Sequence, residues 1–376
     1  MTLAVAADGV CPPGPPEQGW VVLDGPVIAE VGRGRPPRRA LDLGDSLLAP
    51  GLVDLQVNGV GDVDFAATDE DGWRRAGDAL LGCGTTGYCP TLVTAPLDAY
   101  ATALERVAAV RATRAGGGPQ VLGVHLEGPF LGGAPGAHPI ALIRPADAGW
   151  LGELLDAHPG LVAMVTLAPE ADPGLAATRA LTARGVVVAL GHSTASYADA
   201  LAAADAGATV VTHLFNGMAA FHHREPGLVG AALDDDRLTP TLIADLVHVH
   251  PAALRTAIAR KRSVALVTDA VAAGAGTVGG LRVAQRDGAA RLPDGTLAGS
   301  TLSMDRAVRN VVSLGVPVER AIEMASTIPA EVLGLAGRGR LAPGARADVV
   351  ALDRSSLTVR AVWLGGELAY GGVPSA

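Results

Sequence analysis

The sequence predicts an α/β protein in which a (β/α)8 TIM-type barrel carries a small β-sandwich domain formed from both termini. Two observations support this fold: the middle of the chain alternates strand-like and helix-like segments eight times, and both ends contain short β-type runs. The length of 376 residues also exceeds the roughly 250 that one barrel needs. We expect residues 1–49 and 338–376 to form the sandwich and residues 50–337 to form the barrel.

Eight apolar, strand-like runs occupy the middle of the chain. Parallel strands that are buried on both faces have this character, with helices in the gaps between them. Two helical candidates are 103–112, with apolar residues at helical spacing, and 196–207, which opens with a capping serine. Eight alternations favour a closed barrel over an open sheet. The runs are 52–59, 85–94, 121–130, 162–170, 186–193, 208–216, 239–249 and 263–270.

The two ends of the chain differ from this middle part. Residues 1–49 contain the β-type runs GWVVLDG and PVIAEVG between glycines and prolines, and residues 346–370 have the same character. No helical period interrupts them in the N-terminal part. Two β-rich ends around a different middle predict that the termini meet in one small β domain.

Charge and hydropathy patterns exclude some classes of partner. The formal net charge is -9 and no long basic run is present, which argues against a nucleic-acid partner and favours a small polar ligand. No stretch of about 18 uninterrupted apolar residues occurs, and the N-terminus lacks the positive flank of a signal peptide. We therefore expect a cytoplasmic protein without a membrane partner.

Four ionisable side chains lie at the ends of the third, fifth, sixth and eighth runs. They are Glu127, His192, His213 and Asp269. In a barrel such strand ends converge on one face, where two imidazoles and one carboxylate suit zinc or a similar ion and leave a position for water. Asp269 is then free for proton transfer, and His125 shares the strand face of Glu127. Individually, each histidine could instead be structural, Glu127 could form a salt bridge and Asp269 could cap a helix.

At these residues the chain resembles the N-acetylglucosamine-6-phosphate deacetylases of the amidohydrolase superfamily. The resemblance runs from about residue 49 to residue 353. The string GRLAPGARADVV marks only the superfamily, whereas HLEGPF with GHSTASY, HLFNGM and REPG is specific to the deacetylases. The matching strings, in order, include PGLVDLQVNG, GVHLEGPF, GAHP, TLAPE, GHSTASY, THLFNGM, REPGLVGAAL, IADLVHVHP, LVTDA and LAGSTLSMDRAVRNVV.

The resemblance implies a role for each matching residue. It implies a metal held by Glu127, His192 and His213, with Asp269 as the acid and base. It also implies that His138 stabilises the oxyanion formed from the acetyl group. The resemblance assigns phosphate binding to a set of polar groups, and the arginine of this set can come from a neighbouring subunit, which implies a homodimer. The phosphate-binding residues are Asn216, Gly217, Arg224 and His248; Met304 is a further candidate for the sugar pocket, with core packing as its alternative.

Two departures from other amidohydrolases bear on the metal count. Many of them begin with His-x-His at the end of the first strand, but this chain has Gln56 and Asn58 there. An amide is a poor zinc ligand beside imidazole. A lysine that could bridge two ions at the fourth strand is also missing, since Lys261 is the only lysine. We therefore expect one divalent ion, zinc in the first place, with iron, cobalt or manganese also compatible, and no second metal.

The reaction implied by the resemblance is the deacetylation of N-acetyl-D-glucosamine 6-phosphate in amino-sugar catabolism and cell-wall recycling. Two alternatives stay open at this point. One is an enzyme that acts on N-acetylgalactosamine 6-phosphate or on an unphosphorylated N-acyl compound. The other is a barrel without catalytic activity that binds sugar phosphates as a sensor.

Overall fold

A computed structural model gives the fold of the chain, and it describes residues 2–11, 14–36, 39–113, 117–274, 276–278, 281–286 and 288–372. The described residues form a parallel barrel and a separate, mostly antiparallel sheet built from both ends of the chain. The predicted fold class is therefore confirmed. The N-terminal strands are β1 (Thr2–Val10), β2 (Glu17–Asp24), β3 (Val27–Arg33), β4 (Leu41–Asp42) and β5 (Ser46–Pro50).

The central part of the chain contains the eight barrel strands, two short strands after the first of them, and one two-residue strand that precedes the third and pairs with the second. All eight predicted runs contribute one barrel strand each. The strands from this part are β6 (Leu52–Val57), β7 (Gly59–Val60), β8 (Val63–Asp64), β9 (Thr85–Val93), β10 (Gln120–Val121), β11 (Val124–Glu127), β12 (Val162–Leu167), β13 (Val187–Leu190), β14 (Val210–Val211), β15 (Thr239–Ile243) and β16 (Ala265–Val267).

A helix follows each barrel strand, and two more helices follow the eighth. The sequence patterns explain their ends and faces: Ser196 and Asp199 form a capping box at the start of the fifth helix. The helices are α1 (Glu70–Gly82), α2 (Leu97–Thr113), α3 (Ala148–Ala157), α4 (Ala176–Ala183), α5 (Tyr197–Asp205), α6 (Gly227–Asp234), α7 (Pro251–Arg260), α8 (Met304–Ser313), α9 (Val318–Ala325) and α10 (Thr327–Val332). Among the described residues, no helix combines the length and apolar character that crossing a membrane requires.

The chain between β16 and α8 contains two short hairpins, and three strands complete the terminal sheet. Residues 296–299, which follow the second hairpin, reach the carboxyl end of the barrel. The remaining strands are β17 (Thr277–Val278), β18 (Leu281–Arg282), β19 (Ala284–Arg286), β20 (Ala289–Arg291), β21 (Val349–Asp353), β22 (Val359–Leu364) and β23 (Glu367–Gly371).

The terminal sheet joins the two ends of the chain through the pairing of β21 with β5. Its strand order is β23-β22-β21-β5-β1-β2-β3, and β4 also pairs with β1. The sheet curves, so that its edge strand β3 meets the segment just before β21. There Ile28 N donates to Ala345 O over 2.8 Å. Val21, Ile28, Leu48 and Trp363 lie in the apolar core that this curvature encloses. The predicted small domain from both termini is thus present.

The barrel runs β6-β9-β11-β12-β13-β14-β15-β16, with neighbouring strands parallel, and closes between β16 and β6. At this seam Asp269 N donates to Gln56 O over 2.9 Å. The buried carboxylate of Asp54 accepts hydrogen bonds from Thr268 N and Gln56 N, each at 3.2 Å. Burial raises the pKa of Asp54 to about 7. The buried carboxyl group of Asp54 therefore links the first strand to the residue after the eighth strand, Thr268, which immediately precedes Asp269.

Candidate active site

The carboxyl ends of the barrel strands surround a cavity of about 310 Å³. A cavity of this size at this end of a barrel is typical of a site for a small molecule. The structure brings most of the predicted site residues into its lining. These are Glu127, His138, His192, His213, Asn216, Gly217, His248 and Asp269.

Glu127, His192 and His213 present three potential ligand atoms to one point. Glu127 Oε1 lies 3.1 Å from His192 Nε2 and 3.0 Å from His213 Nε2, and the two nitrogens are 3.1 Å apart. Zinc–nitrogen and zinc–oxygen bonds of about 2.0–2.2 Å imply ligand atoms about 3.3 Å apart in a tetrahedral site. The observed spacing therefore fits one ion held by all three residues.

The proton positions on these histidines also suit a cation. His192 Nδ1 lies 3.2 Å from Ala134 O, and a carbonyl can only accept, so the proton of His192 is on Nδ1. Its Nε2 lone pair then faces His213 Nε2 and Glu127 Oε1. Lone pairs and a carboxylate at such short distances repel one another unless a proton or a metal ion lies between them. The donor set thus has the chemistry of a metal site.

The electrostatics of Glu127 and His213 follow from their contact. Burial opposes ionisation of Glu127, but its hydrogen bonds to His192 and His213 outweigh burial and hold its pKa well below the usual value. Burial likewise lowers the pKa of His213, but the hydrogen bond to Glu127 and the charges of Glu127 and Asp269 together outweigh burial and raise that pKa above the usual value. In the absence of a metal, the site therefore retains a proton that an ion has to displace.

The site residues at three strand ends have a left-handed backbone. The φ angles are 50° at His192, 32° at His213 and 47° at Asp269. Such angles cost a non-glycine residue about 1–3 kcal/mol. At each of these residues the backbone leaves the extended conformation, so the observed strand ends before the predicted run. All three side chains line the cavity.

Asp269 lies opposite the three potential ligands with one oxygen anchored. Its Oδ1 accepts hydrogen bonds from Asn58 Nδ2 at 2.8 Å and from Gln56 Nε2 at 3.2 Å. No described residue bonds to its other oxygen, so that oxygen is available to a reactant in the cavity. Burial and, secondarily, the charge of Glu127 raise the pKa of Asp269 to about 6. A carboxyl group with a pKa near neutrality can both take up and release a proton.

Gln56 also contacts the first potential ligand. Its Nε2 donates to Glu127 Oε1 over 2.9 Å in addition to its bond with Asp269. Gln56 and Asn58 therefore act here as hydrogen-bond donors to the two carboxylates. This arrangement agrees with the expectation that neither amide binds a second metal.

His138 has its proton on the opposite nitrogen from His192. Thr94 N donates to His138 Nδ1 over 3.4 Å, and Thr94 Oγ1 lies 2.8 Å from the same nitrogen. A backbone amide can only donate, so His138 Nδ1 accepts and the proton is on Nε2. Burial, followed by the charge of His192, lowers the pKa of His138 to about 3. His138 is thus a neutral donor, with Nε2 3.9 Å from Glu127 Oε2.

A layer of polar side chains lies inside the barrel below Glu127. His125 Nε2 is 2.7 Å from Thr166 Oγ1, which is 2.7 Å from Thr212 Oγ1. His125 Nδ1 is 3.3 Å from Thr91 Oγ1 on the other side. Burial lowers the pKa of His125 to about 4, so this imidazole is neutral. The layer connects four strands directly beneath the residue that provides the carboxylate.

Asn216, Gly217 and His248 also line the cavity. Asn216 Nδ2 donates to His213 O over 3.1 Å, which ties this loop to the metal-binding candidate. Gly217 has a φ of 58°, its carbonyl accepts from Ser193 N over 2.9 Å, and its N–H makes no bond with a described residue. His248 Nδ1 is 2.6 Å from Asp245 Oδ2. Free N–H groups near a histidine are suited to an anion.

Two predicted site residues lie outside this cavity. Arg224 is exposed, and its Nη1 is 2.8 Å from His223 Nε2. Within one chain it does not line the cavity. Met304 is 1% exposed and packs in the barrel core with Ala307, Val308 and Val311, because these positions form the apolar face of α8. Met304 therefore takes its alternative role, core packing, and does not line the sugar pocket.

The sequence interpretation missed three residues that hold the site together. Thr94 sets the proton position of His138, and Asp245 bonds to His248. Glu170 Oε1 accepts from Thr194 N at 2.6 Å and from Gly133 N at 3.2 Å, and its Oε2 accepts from Ser193 Oγ at 2.6 Å. Glu170 therefore joins the loops after β11 and β13. Its position in TLAPE, at the end of the fourth run, was the available signal.

Comparisons with known proteins agree with this geometry. The amidohydrolase family matches residues 47–369. The N-acetylglucosamine-6-phosphate deacetylase of Bos taurus is 44% identical over 353 residues, covering 88% of this chain and 85% of its own length. The N-acetylgalactosamine-6-phosphate deacetylase of Escherichia coli O157:H7 is 42% identical over 369 residues, covering 94% and 96%.

A solved structure is similar over nearly the whole chain. A mutant N-acetyl-D-glucosamine-6-phosphate deacetylase from Mycobacterium smegmatis, in complex with N-acetyl-D-glucosamine-6-phosphate, superposes with a TM-score of 0.91. It is 38% identical to this chain and the match covers 98% of this chain and 99% of that one. The fold and the arrangement of the strand ends are therefore those of a known group of enzymes.

Proposed function

The chain belongs to the amidohydrolase family, among the N-acetylhexosamine-6-phosphate deacetylases, and from this membership we propose that it deacetylates N-acetyl-D-glucosamine 6-phosphate. The products are D-glucosamine 6-phosphate and acetate. The reaction belongs to amino-sugar catabolism and cell-wall recycling. We propose a cytoplasmic location, because the charged phosphate does not cross an apolar bilayer unaided.

One observation carries the proposal. Glu127, His192 and His213 converge within hydrogen-bonding distance of one another, and Asp269 shares their cavity. A three-residue donor set with a separate, unligated carboxylate is the arrangement that hydrolysis of an amide needs. Four side chains from four strand ends meet only because the barrel closes.

We propose that the site holds one divalent ion, and zinc is the ion we favour. Two imidazoles and one carboxylate also accept iron, cobalt or manganese. When bound, the ion supplies a Lewis acid that polarises the acetyl carbonyl and acidifies water. Gln56 and Asn58 donate hydrogen bonds to carboxylates, which supports a single ion and not a pair.

Asp269 and His138 carry the proton transfers and the charge stabilisation in this proposal. The free oxygen of Asp269 takes a proton from the attacking water, whose oxygen forms a bond to the acetyl carbon. Nε2–H of His138 donates to the carbonyl oxygen as negative charge develops there. Protonated Asp269 then delivers its proton to the departing amine while the C–N bond breaks. Asn58 and Gln56 hold Asp269 in place throughout.

The phosphate of the substrate is bound by a separate group of lining residues in this proposal. Gly217 N–H, Asn216 and His248 are the groups of this chain that face it. Holding the phosphate at a fixed distance from Asp269 orients the acetamide group for attack. Binding energy from this remote group appears in kcat/KM.

We propose that Arg224 completes the phosphate site of a second copy in a homodimer. Arg224 is exposed, and Phe221, three residues earlier, is a large apolar residue that is 57% exposed. An exposed apolar residue beside Arg224 is compatible with a subunit interface. Light scattering tests the dimer. Mixing Arg224→Ala subunits with Asp269→Asn subunits tests the crossing, because a mixed dimer contains one site with both residues intact. Restored activity supports the crossing arginine, and no restoration in verified mixed dimers contradicts it.

Elemental analysis and acetate release test the function directly. Protein purified without added metal should contain about one divalent ion per chain. It should release acetate from N-acetyl-D-glucosamine 6-phosphate, and a chelator should abolish the release until the ion is restored. A metal-loaded protein that binds the sugar phosphate and releases no acetate would instead be a sensor.

N-acetylgalactosamine 6-phosphate is the second candidate substrate. The reason is the E. coli relative of that name, which is 42% identical over 94% of this chain. The two sugars differ only in the configuration of one hydroxyl group. Comparing kcat/KM for the two epimers, and for N-acetylglucosamine without phosphate, distinguishes these substrates.

A further inference from the structure

His248 is held by a carboxylate that no part of the mechanism above uses. Asp245 Oδ2 lies 2.6 Å from His248 Nδ1, and Asp245 Oδ1 accepts from His248 N at 2.8 Å and from Val247 N at 2.9 Å. Both side chains are nearly buried, with 6% of Asp245 and 4% of His248 exposed. The carboxylate therefore fixes both the backbone of this loop and the orientation of the imidazole ring.

The contact also assigns the hydrogen-bonding roles of the imidazole. Burial opposes ionisation of Asp245, but its interactions with the His248 ring and with the backbone N–H groups of His248 and Val247 together outweigh burial and keep its pKa below the usual value. An ionised carboxylate can only accept, so His248 Nδ1 carries a proton. His248 Nε2 makes no bond with a described residue, and His248 lines the cavity. A proton on this second nitrogen would make it a charged donor available to a ligand in the cavity.

We propose that Asp245 is a specificity-determining residue: through His248 it presents a cationic donor that selects a phosphorylated sugar over an unphosphorylated one. The inference rests on the proposed function and extends it to a residue that does not itself touch the substrate. A phosphate oxygen on one nitrogen and Asp245 on the other leave the imidazolium between two anions. Both anions stabilise the charge of the ring, so the imidazolium binds a phosphate more strongly than an uncharged hydroxyl group.

The test compares the selectivity of Asp245→Asn with that of the wild type. The metal-loaded, full-length chain is assayed for acetate release from N-acetylglucosamine with and without the 6-phosphate. Asp245→Asn keeps the shape of the side chain and removes its charge. We expect kcat/KM for the phosphorylated sugar to fall about 10- to 100-fold, mainly through KM, as for loss of a charge-assisted hydrogen bond. For the unphosphorylated sugar the fall should be much smaller.

Asp235→Asn is the matched control. Asp235 also accepts from a backbone N–H two residues later and pairs with a cation, Arg237, but it precedes β15 at the opposite end of the barrel. The ratio of the two kcat/KM values should stay at its wild-type value in this variant. A thermal melt and the metal content of each variant show whether it is folded and loaded.

A second variant shows whether Asp245 acts through His248. His248→Gln retains a donor and loses the charge, so we expect it to lower the selectivity to a similar extent. The double variant should then be no worse than His248→Gln alone, because the two residues form one unit. Fully additive effects, an unchanged ratio in Asp245→Asn, or an equal loss for both sugars would each overturn the proposal.

Binding of the product separates this inference from the proposed function. Calorimetry with glucosamine 6-phosphate and with glucosamine measures the preference for phosphate without any turnover. A wild type that releases no acetate refutes the deacetylase proposal. Preferential binding of glucosamine 6-phosphate by the wild type, and loss of that preference in Asp245→Asn, would still support the proposed role of Asp245 and His248. Equal binding of both compounds by the wild type would refute that role.

Discussion

At the scale of single residues, the partner of one ring nitrogen decides what each histidine can do. Ala134 O places the proton of His192 on Nδ1 and leaves Nε2 as a potential ligand. Thr94 N leaves the proton of His138 on Nε2 and makes that nitrogen a donor. Two histidines whose ring centroids are 4.4 Å apart therefore have opposite capabilities.

Asp269→Asn is expected to abolish turnover and to retain the metal. The amide cannot accept the proton from water, and its neighbours Glu127, His192 and His213 still bind the ion. We expect kcat to fall by at least about 10³-fold, with the metal content unchanged. Acetate release and elemental analysis measure the two effects. Turnover near the wild-type value would remove Asp269 from its proposed role.

Metal affinity is expected to fall as the pH decreases. The contact with Glu127 raises the pKa of His213, so the proton on His213 competes with the ion more strongly than on an ordinary histidine. Below that pKa, affinity should fall about tenfold per pH unit for each competing proton. Equilibrium dialysis across a pH series measures this. His158→Asn, at the end of α3, is the control and should follow the wild-type curve; an affinity independent of pH would contradict the prediction.

At the scale of elements, the hairpin segment before α8 positions the end of the eighth strand. Ser300 N donates to Asp269 O over 2.7 Å. Gly299 has a φ of 75°, and a Cβ added there would lie 2.4 Å from Val271 Cγ1 and 2.8 Å from Asp269 O. A side chain at this position must therefore move the backbone that carries Asp269.

Gly299→Ala is accordingly expected to lower kcat by more than about tenfold and to destabilise the protein. Gly315→Ala is the matched control, because Gly315 has a φ of 89° and no atom within 4 Å of the added Cβ. It bears only the conformational cost of about 1–2 kcal/mol. Kinetics and thermal melts of both variants distinguish contact from conformation. Equal losses of activity would show that the contact with Asp269 is unimportant.

At the scale of the whole molecule, a buried ion pair joins the barrel to the terminal sheet. Arg338 Nη1 donates to Asp348 Oδ2 over 2.6 Å, and Nη2 donates to Gln120 Oε1 over 2.6 Å. Arg346 Nε is 3.0 Å from Asp348, whose side chain is 4% exposed. Asp348 therefore balances two arginines where the two parts of the fold meet.

Asp348→Ala should destabilise the protein by about 3–5 kcal/mol, because it leaves buried positive charge without a partner. Glu17→Ala is the comparison, since the Arg33–Glu17 pair is more than half exposed on both sides. Its expected cost is at most about 1 kcal/mol. Urea denaturation gives both free energies of unfolding. Similar values for the two variants would refute a special role for the buried pair.

The domain division into 1–49, 50–337 and 338–376 stays a prediction. Strand β5 of the terminal sheet continues to Pro50, which pairs with Val349 and lies one residue past the first of these limits. Expressing residues 50–337 alone would test whether the barrel folds independently. The hydrogen bonds from buried Arg338 to Thr86 O and Gln120 Oε1 of the barrel argue that each part stabilises the other.

The sequence alone determined the fold class and the four ionisable strand-end residues that line the cavity. Apolar runs alternating with helices specify a parallel barrel, and polar residues at the ends of those runs must face one another once the barrel closes. Glu127, His192, His213 and Asp269 were identifiable for this reason, since both signals are local in sequence.

Only the tertiary structure decided how these groups are supported. Contacts between residues far apart in the chain set the proton positions of His138 and His192 and hold Asp269 beside Asn58. The pairing of Asp245 with His248 depends on the local turn of the backbone between them. The burial of Met304 and the exposure of Arg224 likewise follow from packing. Hydrogen-bond geometry and desolvation arise only after folding, so no periodicity along the chain records them.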